Sequence, residues 1–503
     1  MCLVAIVLIF AACQEKVPNS NKDVTIDTYQ SFSRSGWSIN SHHIRKNIDS
    51  LIDADKDSMT ADFRARGYYL QKGPFLWIDR AGVDERADTL LARLRQVEQM
   101  GFSPRQFCVD KIAKDLANIR SLQVDSTRRN DINAVLARLE YHLTKAYFRY
   151  AAGQRFGYTN PSYLLNRLDV LEPSRNDTVS RPVRYRVLFD IQMEHPDRKF
   201  FLEAVRKVQS DSLSQFLADI QPTSRFYQLL QHKLSEGGLT AQMRAKLLCN
   251  MERCRWRLSD YPQAHEKYVV VNLPSQRLMA INGADTLGMR IGCGSYETKT
   301  PLLTSRIKRM DVNPRWNIPR SIIDRDIIHH LGNRHYFDSH RFYVVDRSTG
   351  KEISLRSVTH NMLRSKEYGV VQRGGKGNSL GRIIFRFDNN FSVFLHDTSS
   401  RSVFQRGDRS VSHGCVRVEK PFDLAVFLMG GQDAQLIDKL KYSMTADTLA
   451  NRQMVIGSIT VEPQVPIFIT YFTLYPMAGG KMSEYADIYG YDHAIYRSLL
   501  NYL

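Results

Sequence analysis

The chain has few cysteines, no long apolar run and no internal repeat. Seven cysteines occur among the 503 residues, and no two of them form a Cys-X-X-Cys pair. A disulfide framework is therefore poorly supported. No apolar stretch reaches the ~20 residues that a membrane-spanning helix needs, which excludes a multispanning membrane protein. Hydrophobic residues make up 43% of the chain, which is typical of a globular protein with two or three domains.

Acidic residues are fewer than basic residues. Aspartate and glutamate number 52 against 70 lysines and arginines, which gives a formal net charge of +18. A basic surface favours anionic partners, namely nucleic acid, an acidic envelope polymer or a membrane. Charge alone does not choose among these three classes.

The N-terminus predicts export. Residues 2–12 are apolar but too short to cross a bilayer, and they fit the hydrophobic region of a secretory signal. The Phe-Ala-Ala that precedes Cys13 is similar to a bacterial lipoprotein signal. In this interpretation residues 1–13 are the signal and Cys13 is the lipidated start of the mature protein. An ordinary signal peptide and a buried apolar N-terminus are the alternatives. Export would place the protein in the periplasm or cell envelope, which argues against nucleic acid as a partner.

Five cysteines lie beyond the N-terminal segment: Cys108, Cys249, Cys254, Cys293 and Cys415. Because five is an odd number, at least one thiol is free or pairs between chains. Most of these cysteines are expected to be buried filler. An exported protein that keeps a free cysteine beside histidines is a candidate thiol enzyme.

The hydrophobic pattern predicts an α+β protein with an all-helical N-terminal half and a mainly β C-terminal half. After a polar tether at residues 14–40, helical periodicity predicts a domain at residues 41–264. Residues 82–102 and 130–157 each place apolar side chains on one stripe and are closed by glycine. We find no catalytic cluster in this half.

Short β-branched runs predict a mainly β domain at residues 265–445. Residues 268–281 predict a strand that turns at Asn282-Gly283 into a second strand. Residues 382–396 predict another hairpin, with Asp388-Asn389-Asn390 as its turn.

Two further segments complete this half of the chain. Residues 311–374 are irregular, basic and rich in aromatic side chains, and they interrupt the strand pattern as an insertion expected to cap a cleft. Residues 446–503 form a C-terminal extension that is expected to pack on the β domain.

The stretch VSHGCVRVE, residues 411–419, carries the strongest sign of chemistry. A cysteine attacks only as the thiolate, and at an ordinary pKa near 8.5 it is mostly protonated. Cys415 therefore needs a base or a nearby positive charge. His413 lies two residues before it, and His396 ends a predicted strand. The 16 residues between the two histidines are enough to return Cys415 to the end of that strand.

This arrangement resembles the signature of the L,D-transpeptidase (YkuD-like) catalytic domain: a histidine, a loop, then Ser-His-Gly-Cys, an apolar residue and arginine. The flanking sequence is similar to the larger Gram-negative branch of that family, which has a helical scaffold domain. The similar segments are residues 67–83, 313–322, 300–301, 378–398 and 487–492. They and their surroundings cover about four-fifths of the chain. That branch often carries a separate peptidoglycan-binding module, for which residues 202–266 leave no room.

The resemblance implies a role for each residue of the motif. Cys415 would be the nucleophile, and His396 would take its proton and later return it to the leaving amine. The backbone N–H groups around His413, Gly414 and Cys415 would stabilise the oxyanion. Ser412 and His413 would shape this loop.

Three residues are further candidates for substrate binding: Arg417, Trp316 and Asp397. Arg417 binds a substrate carboxylate or pairs with an acidic neighbour. Asp397 contacts substrate or orients His396, although successive strand residues point to opposite faces. Trp316 contacts substrate or packs within the inserted segment.

The family implies peptidoglycan stem peptides as the substrate, a 3→3 cross-link as the product and no cofactor. The same acyl-enzyme would serve hydrolysis, lipoprotein attachment or D-amino acid exchange. A catalytically inactive wall-binding scaffold is the second alternative. His396, His413 and Cys415 nominally offer three zinc ligands, but no supporting ligand pattern appears, so we expect no metal.

Overall fold

The computed structural model describes residues 39–79, 82–83, 85–121, 123–125, 127, 130–171, 182–430, 433–446, 449–476 and 481–503. Cys13 lies outside these residues, and so does most of the predicted tether. Two compact units divide the chain. One contains the described residues up to 158 together with 195–224 and 500–503, and the other contains 159–194 and 225–499.

Helices dominate the N-terminal part of the chain. In chain order the helices are α1 Ser41–Ala54, α2 Thr60–Leu70, α3 Glu85–Arg95, α4 Val109–Arg120, α5 Ile132–Phe156, α6 Pro161–Leu165, α7 Arg198–Gln209, α8 Leu213–Asp219, α9 Arg225–Ser235, α10 Ala241–Arg255, α11 Arg334–Ser339, α12 His360–Arg364, α13 Pro421–Met429, α14 Ala434–Thr445 and α15 Tyr491–Leu499. Among the described residues, none of these helices is both long and apolar enough to cross a membrane.

Helix α5 is the centre of the first unit, where α1, α2 and α4 pack against it. It begins at Asp131, whose carboxylate accepts hydrogen bonds from the N–H groups of Asn133 and Ala134. Its Glu140 is fully buried and accepts hydrogen bonds from the Tyr69 hydroxyl at 2.8 Å and the Trp77 N–H at 3.0 Å. Burial raises the pKa of Glu140 to about 7.

Most of the strands lie in the second unit. In chain order the strands are β1 Ile78–Asp79, β2 Gly82–Val83, β3 Val170–Leu171, β4 Arg184–Tyr185, β5 Phe189–Asp190, β6 Lys267–Asn272, β7 Arg277–Asn282, β8 Asp285–Gly294, β9 Leu302–Val312, β10 Trp316–Asn317, β11 Phe342–Asp346, β12 Glu352–Ile353, β13 Tyr368–Gln372, β14 Ile383–Phe387, β15 Leu395–His396, β16 Ser410–Ser412, β17 Val416–Val418, β18 Ser458–Thr470, β19 Leu474–Pro476 and β20 Met482–Glu484. The first pair, β1 and β2, belongs to the helical unit.

The main sheet runs in the order β14-β15-β17-β8-β7-β6-β18-β9-β5. Strand β14 also pairs with β9, so the sheet closes on itself. A helical N-terminal region followed by a mainly β domain is the predicted fold class, and it is confirmed. The predicted hairpin is present as well, with Ile384 of β14 opposite His396 of β15.

The prediction of one strand over residues 268–281 is wrong. The chain forms two antiparallel strands there, β6 and β7, with Lys267 opposite Asn282. It reverses direction after Leu273 because Pro274 has no N–H to donate to a ladder, and Gln276 adopts a φ of 49°. This turn lies inside an apolar run whose composition is typical of a strand.

Residues 311–374 contain a second, small sheet in the order β10-β13-β11-β12. It has an apolar core of its own, which includes Ile318, Ile323, Val344 and Val370. A π-helix at Ile323–Ile327 follows β10 in the chain. Such helices are rare and occur frequently at functional sites.

The C-terminal segment, predicted to pack on the β domain, supplies one of its strands. Strand β18 lies between β6 and β9, parallel to the first and antiparallel to the second. Tyr489, just before α15, and Tyr491, its first residue, are buried, being 1% and 0% exposed.

Candidate functional site

Two parallel strands bring Cys415 and His396 to one face of the main sheet. Strands β15 and β17 pair with His396 opposite Arg417, and the Val416 N–H donates to the Phe394 carbonyl. Alternate residues of a strand share a face, so Cys415 lies on the same face as Arg417. Paired residues also share a face, so His396 lies on the face of Arg417, and Cys415, the residue directly before β17, continues this alternation towards His396.

His396 is held by the backbone. Its side chain is buried, and Nδ1 lies 2.5 Å from the carbonyl oxygen of Asp397. Because a carbonyl only accepts, Nδ1 carries the proton and the lone pair of the neutral ring is on Nε2. Burial and the positive charge of Arg417 lower the pKa of His396 to about 4, against the raising effect of hydrogen bonds to the Asp397 and Leu380 backbone. The ring is therefore neutral at neutral pH.

The thiol of Cys415 is also neutral at rest. Burial raises its pKa to about 11, against the lowering effects of the Phe394 backbone and of the charges of Arg386 and Arg417. The Sγ atom lies 3.9 Å from the Ser392 carbonyl oxygen, a weak contact. A neutral thiol beside a neutral imidazole is suited to general base catalysis, in which the proton leaves as the sulfur attacks.

The loop before Cys415 is fixed by its own hydrogen bonds. The Ser412 hydroxyl donates to the Cys415 carbonyl at 2.5 Å and accepts from the Gly414 N–H at 3.1 Å. Gly414 has a φ of 115°, a conformation that favours glycine. Since the Gly414 N–H is already engaged, it is not one of the free oxyanion donors.

Two other N–H groups of this loop are free. Within the described part of the chain, neither the His413 N–H nor the Cys415 N–H donates to a protein acceptor. Unpaired N–H groups beside a nucleophile are the donors that an oxyanion needs. The site thus offers a pair of donors, one on each side of Gly414.

The side chain of His413 is hydrogen-bonded to the inserted segment. Its Nε2 accepts a hydrogen bond from the guanidinium of Arg325, in the π-helix. Burial and the charge of Arg325 lower the pKa of His413, so this ring is also neutral at neutral pH. With its lone pair directed at Arg325, His413 has no acceptor for the cysteine proton. Sequence reasoning did not single out Arg325.

Arg417 is a half-buried cation with no anionic partner among the described residues. Burial and the charge of Arg406 lower the pKa of its guanidinium. It has no salt-bridge partner among the described residues, and its buried Nε has no hydrogen-bond partner. The predicted alternative of an acidic neighbour therefore has no support. A buried charge without a partner is costly, which favours an anionic ligand.

The side chains of Asp397 and Trp316 have structural partners of their own rather than a place beside Cys415. The Asp397 carboxylate accepts from the Arg382 N–H at 2.8 Å and pairs with Arg401 at 3.1 Å. Its backbone carbonyl, not its carboxylate, holds His396. Trp316 is half-buried against the core of the inserted segment, which favours its packing role.

Two threonines that sequence reasoning did not assign a role hold the cysteine loop in place. The Thr298 hydroxyl donates to the Ser412 carbonyl at 2.7 Å, and the Thr300 hydroxyl donates to the Gly414 carbonyl at 2.9 Å. The only signal for them was the Thr-Pro pair at 300–301, because their partners lie 114 residues away. No group of three or more His, Cys, Asp or Glu that could bind a metal ion occurs among the described residues.

A half-buried cysteine, a backbone-held histidine and two free N–H groups define a site that is suited to thiol-based acyl transfer. Comparison with known proteins agrees with this. Residues 266–437 match the L,D-transpeptidase catalytic domain, and residues 63–234 match the scaffold domain that accompanies it. The chain thus contains an L,D-transpeptidase catalytic domain and a scaffold domain.

The individual relatives are distant. A Haemophilus influenzae protein named "Putative L,D-transpeptidase" is 26% identical over 320 residues, which are 62% of this chain and 62% of that protein. The solved structure of an L,D-transpeptidase from Mycobacterium smegmatis is 15% identical, with 41% of this chain and 58% of that chain covered and a TM-score of 0.18. A score of that size does not establish a common fold. The chain spans about three-fifths of the length of each relative.

Proposed function

We propose that the protein is a peptidoglycan L,D-transpeptidase that forms 3→3 cross-links through an acyl-enzyme on Cys415. The observation that supports this most is the pairing of the strand that ends at His396 with the strand that begins directly after Cys415, together with the hydrogen bond between His396 Nδ1 and the Asp397 carbonyl. That hydrogen bond fixes the tautomer of the neutral ring, with the proton on Nδ1 and the lone pair on Nε2.

In the first step the sulfur of Cys415 attacks the carbonyl carbon of the third residue of a donor tetrapeptide. His396 takes the thiol proton as the S–C bond forms, and the oxyanion accepts from the N–H groups of His413 and Cys415. The C–N bond to D-alanine then breaks, and His396 returns the proton to the leaving amine. A thioester on Cys415 and free D-alanine result.

In the second step an amine of an acceptor stem attacks the thioester, and His396 takes a proton from that amine. The C–S bond breaks, the new amide forms and the proton returns to Cys415. Water, a lipoprotein amine or a free D-amino acid in place of the acceptor stem would give hydrolysis, attachment or exchange. The first step is common to all of these reactions.

Arg417 is proposed to bind a carboxylate of the donor stem. Its half-buried guanidinium has no anionic partner in the described structure, and it pairs with His396 across the two strands. An arginine in this state is suited to recognise a planar carboxylate. The net charge of +18 also suits an acidic wall polymer.

The inserted segment is proposed to cap the site. Its Arg325 contacts His413, which places it beside the cysteine loop. Hydrogen exchange on the full chain should show residues 311–374 opening faster than the main sheet and becoming protected on acylation. Equally slow exchange in both parts would contradict a cap.

The protein is proposed to be lipid-anchored at Cys13 in the cell envelope, from the apolar run that precedes this residue. Metabolic labelling with a palmitate analogue should tag the wild type and not Cys13→Ala. Equal labelling of the two would contradict the anchor.

The reaction itself is tested by mass spectrometry of muropeptides that have been incubated with the purified protein. Cross-linked dimers support transpeptidation, whereas tripeptides alone indicate hydrolysis and exchanged tetrapeptides indicate exchange. The matched control is Cys415→Ala, for which no product is expected. Unchanged muropeptides with the wild type would contradict the proposal.

A further inference from the structure

The C-terminal segment is connected to the cysteine loop through two hydrogen-bonding residues, Tyr489 and Thr300. Tyr489, 1% exposed, donates its hydroxyl hydrogen to the Gly294 carbonyl at 2.7 Å and accepts from the Thr300 N–H at 3.1 Å. It therefore bridges the end of β8 to the turn that follows it. A Cβ on Gly294 would lie 2.1 Å from the Thr298 carbonyl oxygen, so this turn is packed tightly against the strand.

Thr300 passes this contact on to the cysteine loop. Its hydroxyl accepts from the Gly294 N–H at 2.9 Å and donates to the Gly414 carbonyl, also at 2.9 Å. The residue is fully buried, so no water competes for these bonds. The Tyr489 hydroxyl holds the Thr300 main chain, and the Thr300 hydroxyl holds the Gly414 carbonyl.

The Gly414 carbonyl and the Cys415 N–H belong to one peptide unit. In a planar trans peptide the C=O and N–H bonds point in opposite directions. A hydrogen bond that fixes the Gly414 carbonyl towards Thr300 therefore fixes the Cys415 N–H away from it. That N–H is one of the two free donors of the site.

Tyr489 is itself held in place. Its backbone N–H donates to the Tyr471 hydroxyl at 2.8 Å, and that hydroxyl donates to the Asp487 carboxylate at 2.6 Å. The ring of Tyr491 belongs to the same aromatic cluster, 5.7 Å from the Tyr489 ring. The Tyr491 hydroxyl differs in one respect, because it is buried and has no hydrogen-bond partner among the described residues.

We propose that Tyr489 is a positioning residue for catalysis: through Thr300 and the Gly414 carbonyl, its hydroxyl directs the Cys415 N–H at the oxyanion. This rests on the proposed acyl-transfer function. The Tyr489 hydroxyl bonds to the main chain of Gly294 and Thr300 and acts through Thr300, so its effect is expected in the step in which an oxyanion forms.

The test compares Tyr489→Phe with Tyr491→Phe in the full chain. Each change removes one buried hydroxyl from the same aromatic cluster, but only the Tyr489 hydroxyl is connected to Thr300. Two rates are measured for each: release of D-alanine from a tetrapeptide, and alkylation of Cys415 by iodoacetamide. Alkylation forms no oxyanion, whereas acylation does.

Tyr489→Phe should lower kcat for D-alanine release about tenfold or more, with little change in KM. Its alkylation rate should match that of the wild type, and Tyr491→Phe should match the wild type in both assays. Thr300→Val should reproduce the loss, Thr300→Ser should retain activity, and the Tyr489→Phe/Thr300→Val double variant should be no worse than the poorer single variant.

Equal kcat for Tyr489→Phe and the wild type would overturn the positioning role. A parallel fall in alkylation and acylation would also overturn it, since it would show general damage to the site. If the wild type itself releases no D-alanine, the proposed function fails. This result differs from the two results that would overturn the positioning role alone.

Discussion

The pKa values of Cys415 and His396 predict how the two side chains share a proton, and removing the histidine tests this prediction. A thiol pKa of about 11 leaves roughly one thiolate in ten thousand at pH 7, since 11 − 7 is four units. A histidine pKa of about 4 leaves about one ring in a thousand protonated, since 7 − 4 is three units. The resting pair is thus neutral, unlike a preformed thiolate–imidazolium pair.

His396→Ala should therefore separate two quantities that an ion pair would couple. Loss of the base should slow acylation by about 10²–10⁴-fold, or ~3–5 kcal/mol of activation free energy. The alkylation midpoint of Cys415 should stay close to that of the wild type, because a neutral ring contributes no charge to the thiol pKa. Phe394, Arg386 and Arg417, which do lower it, are left in place.

The assay is the rate of iodoacetamide alkylation as a function of pH, read by mass spectrometry of the Cys415 peptide. Cys415→Ala gives the background from the other thiols. His413→Ala is the matched histidine control, and its midpoint should also be little changed because Arg325 already occupies its Nε2. A wild-type midpoint near neutrality that rises by several pH units in His396→Ala would refute the neutral pair.

Three other predictions concern the pH dependence of catalysis, the KM of an Arg417 variant and the stability of the helical unit. The acid limb of kcat/KM should have its midpoint near pH 4, because His396 must be neutral to accept a proton; a midpoint near 6.5 would contradict its burial. Arg417→Lys should raise KM for a tetrapeptide about tenfold in steady-state assays, since lysine lacks the planar pair of donors; an unchanged KM would argue against carboxylate binding. The raised pKa of Glu140, from 4.5 to about 7, means that the folded state binds its proton more tightly, so the stabilisation is complete below pH 4.5 and is lost as the pH rises to about 7. Urea unfolding should show this decline in the wild type and a flatter profile in Glu140→Gln; parallel profiles would contradict it.

Local signals predicted the hairpin that ends at His396 correctly. The spacing of His396 and Cys415, the hairpin turn at Asp388–Asn390 and the alternation of β14 are features of short segments, and the structure pairs these strands as expected. The neighbouring position of Asp397 on the strand also indicated that its carboxylate would not reach His396. The contact that does hold the ring comes from the Asp397 backbone carbonyl, and a backbone contact cannot be recognised from the type of side chain.

The hydrophobic pattern did not predict contacts between residues that are distant in the sequence. Strand β18 pairs with β6 at a separation of about 200 residues, and periodicity does not specify which strand lies next to which. The contacts of Thr300 with Gly414 and of Arg325 with His413 likewise depend on how distant segments meet. The turn at Pro274 was missed because the surrounding residues favour a strand throughout.

The most direct test of the central claim is the intact mass of the full-length protein during reaction with a tetrapeptide stem. The account predicts a transient gain equal to the tripeptide acyl group, release of one D-alanine per adduct, and localisation of the adduct to Cys415. His396→Ala should accumulate it far more slowly, and Cys415→Ala should never form it. An adduct that persists in Cys415→Ala, or D-alanine release by that variant, would contradict the assignment of Cys415 as the nucleophile.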